Sequence, residues 1–193
     1  LMSGTTHDIE FITGCYDLLP NDTMSDLLLA KMQEVNDMKF TEQERAFARE
    51  LQATFLEGSV KRGFDWTQLS ASIKLDPKLI DDPLWEMVIP HSATPPLMGG
   101  STEVGDVSWI TPTGQLTTTC WALGTPGHRW QTVASCGSSI GRKGMLFAST
   151  AMALAGLDLL TQPDLLAKAK AEFDQAKNGR EYISPLPDNA IPQ

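Results

Sequence analysis

Histidine and cysteine are scarce in this sequence, with three of each in 193 residues. Cys15, Cys120 and Cys136 are odd in number and widely spaced, so neither a disulfide framework nor a CxxC zinc knuckle can be read, and a reducing cytoplasm is the simplest expected home. Positive charge is short as well. Fifteen Lys and Arg stand against 24 Asp and Glu, a net charge of −9, which argues against a nucleic-acid or anionic-membrane partner, since both need a cationic face. No long unbroken apolar run is present. The longest, residues 145–160, is interrupted by Ser149, Thr150 and Asp158 and falls short of the roughly 18 to 20 residues that cross a bilayer, so no membrane span is expected. No secretory leader is read. Leu1 opens the chain inside an apolar–polar stretch without an initiator methionine, and the expectation is an excised piece of a longer protein.

What is present suffices for a core, because 41% of the residues are hydrophobic and the length suits one ordinary domain or one and a half small ones. Residues 9–13 are short and β-branched, and Gly14 and Pro20-Asn21-Asp22 supply turn chemistry before a helix with Met24, Leu28, Met32 and Val35 on one stripe. Asn21, Asp22 or Thr23 can cap that helix. Thr41 and Glu44 form a capping box ahead of Phe47, Leu51 and Phe55, with Gly58 as the expected stop. Five prolines between residues 59 and 100 predict a loop-rich stretch with a short helix near 66–73. Residues 106–111, 115–123 and 130–136 are rich in Thr, Trp, Val and Ile and predict three strands. A helix over 139–160, apolar almost all round, is expected to be buried against their sheet. A last helix carries Leu165, Ala169, Phe173 and Ala176 and stops near Gly179. The predicted class is therefore α/β, a mixed sheet covered by helices.

Three features could carry chemistry. Gly137-Ser138-Ser139-Ile140-Gly141 matches the G-x-S-x-G of a nucleophile elbow, but in that fold the histidine follows the serine, and His7, His91 and His128 all precede Ser139. A serine N-cap is the simpler reading, with Ser139 in that capping role. Cys120 and Cys136 read as buried structural thiols rather than nucleophiles. His128, in Gly124-Thr-Pro-Gly-His128, stands on a rigid turn that suits a metal ligand, yet one imidazole is no site and HxxxH and HxD are missing. Residues 96–106 offer backbone access at Gly99 and Gly100, hydroxyls at Ser101 and Thr102, and carboxylates at Glu103 and Asp106, and read equally well as a ligand loop or a surface turn.

Taken together, Gly100-Ser-Thr-Glu-Val-Gly-Asp-Val-Ser-Trp-Ile-Thr-Pro-Thr113, Trp121-Ala-Leu-Gly-Thr-Pro-Gly-His-Arg-Trp130 and Ser139-Ile-Gly-Arg-Lys-Gly-Met145 resemble the C-terminal half of the aminobenzoyl-glutamate hydrolase B-subunit type. That type is a branch of the zinc-dependent aminoacylase and carboxypeptidase amidohydrolases. The tail Tyr182-Ile-Ser-Pro-Leu-Pro187 fits it, and Tyr16-Asp-Leu-Leu-Pro-Asn21 resembles the end of the family's smaller α+β lid or dimerisation domain. The resemblance implies that residues 1–36 end a lid and residues 37–193 form the C-terminal part of a catalytic domain. It also implies a site with two zinc or other divalent ions hydrolysing the amide of an N-acyl amino acid or aminobenzoyl-glutamate-like substrate. His128 matches the late metal ligand, and Asn21, Gly100, Ser101, Thr102, Glu103 and Asp106 would touch substrate. The other ligands and the catalytic glutamate are expected outside this chain, which alone would be inactive. A homodimer is expected, joined through residues 1–36. The competing expectation is a non-catalytic dimerisation or scaffold module that shares only the family fold.

Overall fold

The computed structural model describes residues 4–90, 92, 100 and 102–187, and every regular element among them is helical. In chain order these are α1 (Asp22–Val35), α2 (Glu42–Gln52), α3 (Ser59–Ala71), a 3-10 turn (Pro77–Asp81), α4 (Val104–Ser108), α5 (Trp130–Cys136), α6 (Ser139–Thr161) and α7 (Pro163–Lys177). No strand or sheet occurs among the described residues, so the expected α/β mixed sheet is overturned.

The reason lies in where the β-prone segments find partners. Residues 106–108 turn into α4, because the Ser108 hydroxyl donates to the Gly105 carbonyl and accepts from the Leu19 N–H at 2.8 Å. Residues 130–136 form α5. Residues 115–123 are irregular and act as a strap: the Leu123 N–H donates to the Pro83 carbonyl at 2.9 Å, the Thr119 hydroxyl to the Trp85 carbonyl at 2.7 Å, and the Thr118 hydroxyl to the Gly144 carbonyl at 3.1 Å. These bonds run alternately to the 83–85 segment and to α6, so no ladder forms. Residues 9–13 are exposed and irregular.

Helix ends follow local chemistry more faithfully. Asn21 caps α1 by accepting from the Met24 N–H at 3.0 Å. Thr41 and Glu44 close their box, the Glu44 N–H donating to Thr41 Oγ1 at 3.2 Å and the Thr41 N–H to Glu44 Oε2 at 2.7 Å. The α2 helix stops at Gln52, short of Gly58, whose left-handed φ of 75° instead opens α3. At α6 the cap is Ser138, which accepts from the Ile140 N–H at 3.1 Å.

Three apolar clusters fill the interior. Phe40, Ala48, Leu84, Ala122 and Ile140 join α2 to the start of α6. Phe64, Leu75 and Trp85 pack under α3, with Phe64 edge-on to Trp85. Leu27, Leu28 and Ala155 join α1 to α6 beside Leu159 and Leu165. Of the expected α1 stripe, Leu28 is thus buried within the chain, while Met24, Met32 and Val35 are half-buried.

The α6 helix departs furthest from expectation. Only Ile140, Gly141, Gly144, Phe147, Ala151 and Ala155 are buried, while Met145, Leu146, Met152, Leu157 and Leu160 are each more than half exposed. At 23 residues it also outruns the apolar segment 145–160, and by length and composition alone it could cross a membrane. It packs most extensively against α1, then against α5 and α7.

Glu44 bonds α2 to α6. Its buried carboxylate accepts from Ser139 Oγ at 2.6 Å and Lys143 Nζ at 2.6 Å, as well as from Thr41. Burial opposes its ionisation, but Lys143, Ser139 and Thr41 outweigh that and hold the carboxyl down to about 2 from an ordinary 4.5. A depressed carboxylate stabilises the fold above its unfolded value and loses that contribution as pH falls from about 4.5 towards 2. Glu44→Gln should therefore cost about 2 kcal/mol in urea unfolding at pH 7, with the gap to the parent closing as pH drops through that window. A gap that stayed constant with pH would show that the charge is not the anchor.

Candidate functional site

His128 sits on a loop that glycine fastens to α3. Gly124 has a left-handed φ of 80°, and a Cβ there would come 2.6 Å from Val60 Cα and 2.7 Å from the Ser59 carbonyl. On the facing helix a Cβ at Gly63 would come 2.7 Å from Gly124 Cα, so two backbones touch where side chains would normally stand. The loop is further tied by Gln52 Nε2 donating to the Leu123 carbonyl at 3.0 Å, Thr125 Oγ1 to the Ala122 carbonyl at 2.6 Å and Thr132 Oγ1 to the Pro126 carbonyl at 2.9 Å. His128 crowns this frame, exposed and with a left-handed φ of 56°. The outcome is a fixed backbone with an accessible imidazole.

A second neighbourhood gathers at α4. Asp106 Oδ1 accepts from the Tyr16 N–H at 3.4 Å and from the Tyr182 hydroxyl at 3.1 Å, joining both ends of the chain. Tyr16 packs on Trp109 and on Tyr182 with ring centroids 5.2 and 5.1 Å away, and Arg180 lies over the Trp109 ring at 4.5 Å. Trp109 Nε1 donates to the Asp17 carbonyl at 2.9 Å. Desolvation and the bond to Asp106 push the Tyr182 phenol above its usual range. A side chain at Gly105 would collide with the Tyr16 carbonyl.

Of the residues assigned to substrate, Asp106 is thus engaged with the two tyrosines. Asn21 is buried, capping α1 and donating from Nδ2 to the Ala169 carbonyl at 2.9 Å. Gly100, Thr102 and Glu103 are exposed, Thr102 Oγ1 accepting from the Val104 N–H at 3.3 Å. Ser101, like His91 and residues 93–99, lies outside the described residues. No hydrogen bond or ion pair among the described residues joins His128 to Asn21, Thr102, Glu103 or Asp106.

Ser139 spends its hydroxyl on Glu44, and the capping role expected of it belongs to Ser138. A hydroxyl donating to an ionised carboxylate, with no histidine bonded to it, is not an activated nucleophile. Cys136 is exposed and Cys120 half-buried, rather than both buried. Among the described residues no three His, Cys, Asp or Glu converge to hold a metal ion. A structural or catalytic zinc takes three or four protein ligands, so these residues alone do not fit the two-metal centre that the resemblance implies.

Two features had no clear sequence signal. A cleft of about 640 Å³ runs between α1, α3 and the 115–125 strap, lined by Trp66, Trp85, Trp121 and Met32, with Glu86 its one ionisable side chain among the described residues. Glu86 is occupied by the Phe40 N–H at 2.7 Å, Lys39 and Arg45. Beside the His128 loop, the buried Gln131 donates to Thr54 Oγ1 at 3.2 Å while its Oε1 has no partner among the described residues.

At the level of class, the chain is similar to a hydrolase. The protein in question is the B-subunit of p-aminobenzoyl-glutamate hydrolase from Escherichia coli (strain K12), to which the chain is 32% identical over 197 residues, covering 100% of this chain and 40% of that protein. The resemblance drawn from residues 100–145, 16–21 and 182–187 therefore holds, and the similarity covers the whole chain. The chain spans about 40% of the length of this curated relative. No protein-family model matches the chain, and no solved structure matches it.

The glycine contact generates a direct test. Gly124→Ala adds a methyl group against the α3 backbone at a left-handed φ. It should destabilise by about 1–3 kcal/mol, seen as a lowered thermal midpoint, whereas Gly127→Ala, which meets nothing within 4 Å, should leave the midpoint nearly unchanged.

Proposed function

We propose that this chain is the C-terminal part of a metal-dependent amidohydrolase that cleaves the amide bond of an N-acyl amino acid or aminobenzoyl-glutamate-like substrate. The observation that carries the reading is the end-to-end similarity to the B-subunit of p-aminobenzoyl-glutamate hydrolase over 40% of that protein's length. His128 is the residue assigned to face a metal, and what supports it is the combination of a backbone pinned at Gly124 and an exposed ring. The remaining ligands and the group that moves the proton belong to protein outside these 193 residues.

The alternative, a non-catalytic module, draws on the apolar outer face of α6, where Met145, Leu146, Met152 and Leu157 need a cover whatever the chemistry. The two readings separate on activity. Residues 1–193 alone should show no amidase turnover of aminobenzoyl-glutamate with zinc present and should retain no tightly bound zinc on dialysis. In a chain extended to the length of the relative, turnover should appear, and His128→Ala should remove most of it with little change in thermal unfolding of the metal-free form. Ser139→Ala there should keep activity within a few-fold while costing about 1 kcal/mol of stability through the lost bond to Glu44. An extended chain with no turnover, or one indifferent to His128→Ala, would favour the module.

A further inference from the structure

Cys120 and Cys136 are brought to one spot by a notch in α6. Gly141 and Gly144 stand one turn apart on the same face of that helix. A side chain at Gly141 would collide with the Cys136 backbone, and a Cβ at Gly144 would come 2.6 Å from Cys120 Sγ and 2.7 Å from the Thr119 carbonyl. The α5 end closes from the other side: Ser135 Oγ donates to the Cys120 carbonyl at 3.2 Å and Cys136 Sγ reaches the same carbonyl at 4.0 Å. One thiol thus lies against the backbone of the residue that carries the other. Burial first, and the neighbouring Cys120 second, raise the Cys136 thiol above its ordinary range. Cys136 is exposed and Cys120 half-buried, which gives an entry point and a shielded partner.

We infer that Cys120 and Cys136 form an oxidisable dithiol whose co-reactant is a low-molecular-weight disulfide of the glutathione class and whose product is a Cys120–Cys136 bridge across the His128 loop. The thiolate of Cys136 attacks one sulfur of the small disulfide, whose S–S bond breaks and releases one small thiol. The thiolate of Cys120 then attacks the Cys136 sulfur of the mixed disulfide and expels the second small thiol. Two protein thiols are oxidised, and their two electrons and two protons end on two small thiols. The bridge joins residues 16 apart, and the loop it closes contains Gly124, Pro126 and His128. It would therefore limit the motion of the histidine-bearing segment from both ends.

The test is oxidation of the 193-residue chain with oxidised glutathione, followed by peptide mapping without reduction. The expected product has lost two hydrogen atoms, yields one linked peptide pair containing Cys120 and Cys136, and unfolds at a higher temperature than the reduced protein. Cys15→Ser should form the same link in the same yield, and Cys136→Ser should form none. The inference is overturned if glutathione stays attached to Cys136 without being displaced by Cys120, if the link runs through Cys15, or if the same pair links equally fast in concentrated urea, where no fold brings them together.

Discussion

A carboxylate taken out of water must be matched by donors, and Glu44 is matched by donors from two different helices. Thr41 supplies its backbone N–H at the start of α2, while Ser139 and Lys143 supply a hydroxyl and an ammonium from the first turns of α6. Lys143 also donates to the Lys39 carbonyl at 2.8 Å and lies over the Phe40 ring at 5.6 Å, so one cation serves a carboxylate, a carbonyl and an aromatic face. From the neighbouring position on α2, Arg45 reaches Asp82, the Leu84 carbonyl at 3.0 Å and Glu86 at 2.8 Å. Buried ion pairs repay their desolvation only when further hydrogen bonds support them, and Glu44 draws such bonds from Thr41 and Ser139. The apolar cluster of Phe40, Ala48, Leu84, Ala122 and Ile140 fills the space that this polar lattice frames.

The lattice also explains how a chain without a sheet among its described residues can hold long irregular segments in place. The 115–123 strap is fixed by bonds to two separate bodies, and its course continues without interruption into the loop that carries His128. Close backbone contacts at Gly63, Gly124, Gly141 and Gly144 let the strap and α5 lie nearer to the helices than side chains permit. A rigid scaffold with functional groups on loops is the usual arrangement of binding and catalytic sites, and the His128 segment has that form.

Legibility in the sequence tracked the range of the interaction. The capping box at Thr41 and Glu44 and the stripe of α7 that holds the buried Ala169 and Phe173 are set within a few residues, and each was readable, while the cap of α1 was narrowed to Asn21, Asp22 or Thr23, of which Asn21 takes the role. The strand expectations failed because β-propensity measures fit to a pleated surface rather than a backbone preference, and among the described residues no strand makes such a surface. Trp109 and Ser108 are instead committed by contacts to residues some 90 positions away, the Trp109 indole bonding to Asp17 and the Ser108 hydroxyl to Leu19. For the site, the turn chemistry of Gly124, Pro126 and Gly127 singled out His128, and the structure shows an exposed histidine on a loop without the strand expected before it. The engagement of Asp106 with Tyr16 and Tyr182 could not be read, because it joins three segments that are distant in sequence. The bland capping reading of the Gly137–Gly141 motif was right in kind and one residue out in position.

The cap of α1 sets an order in time. Its first two amides, at Asp22 and Thr23, donate to the carboxylate of Glu172 on α7, and Asn21 reaches Ala169 of the same helix. Burial opposes ionisation of Glu172, but these donors hold it charged, so a negative group faces the positive end of α1. Those partners lie about 150 residues downstream. Sequence separation of that size makes a contact slow to form, since the entropy of closing the loop is lost before the contact repays it. During synthesis α1 is made with Asn21 as its own cap but without Glu172, and its N-terminal turn becomes complete only after α7 has been made. The start of α1 and the body of α7 therefore mature together.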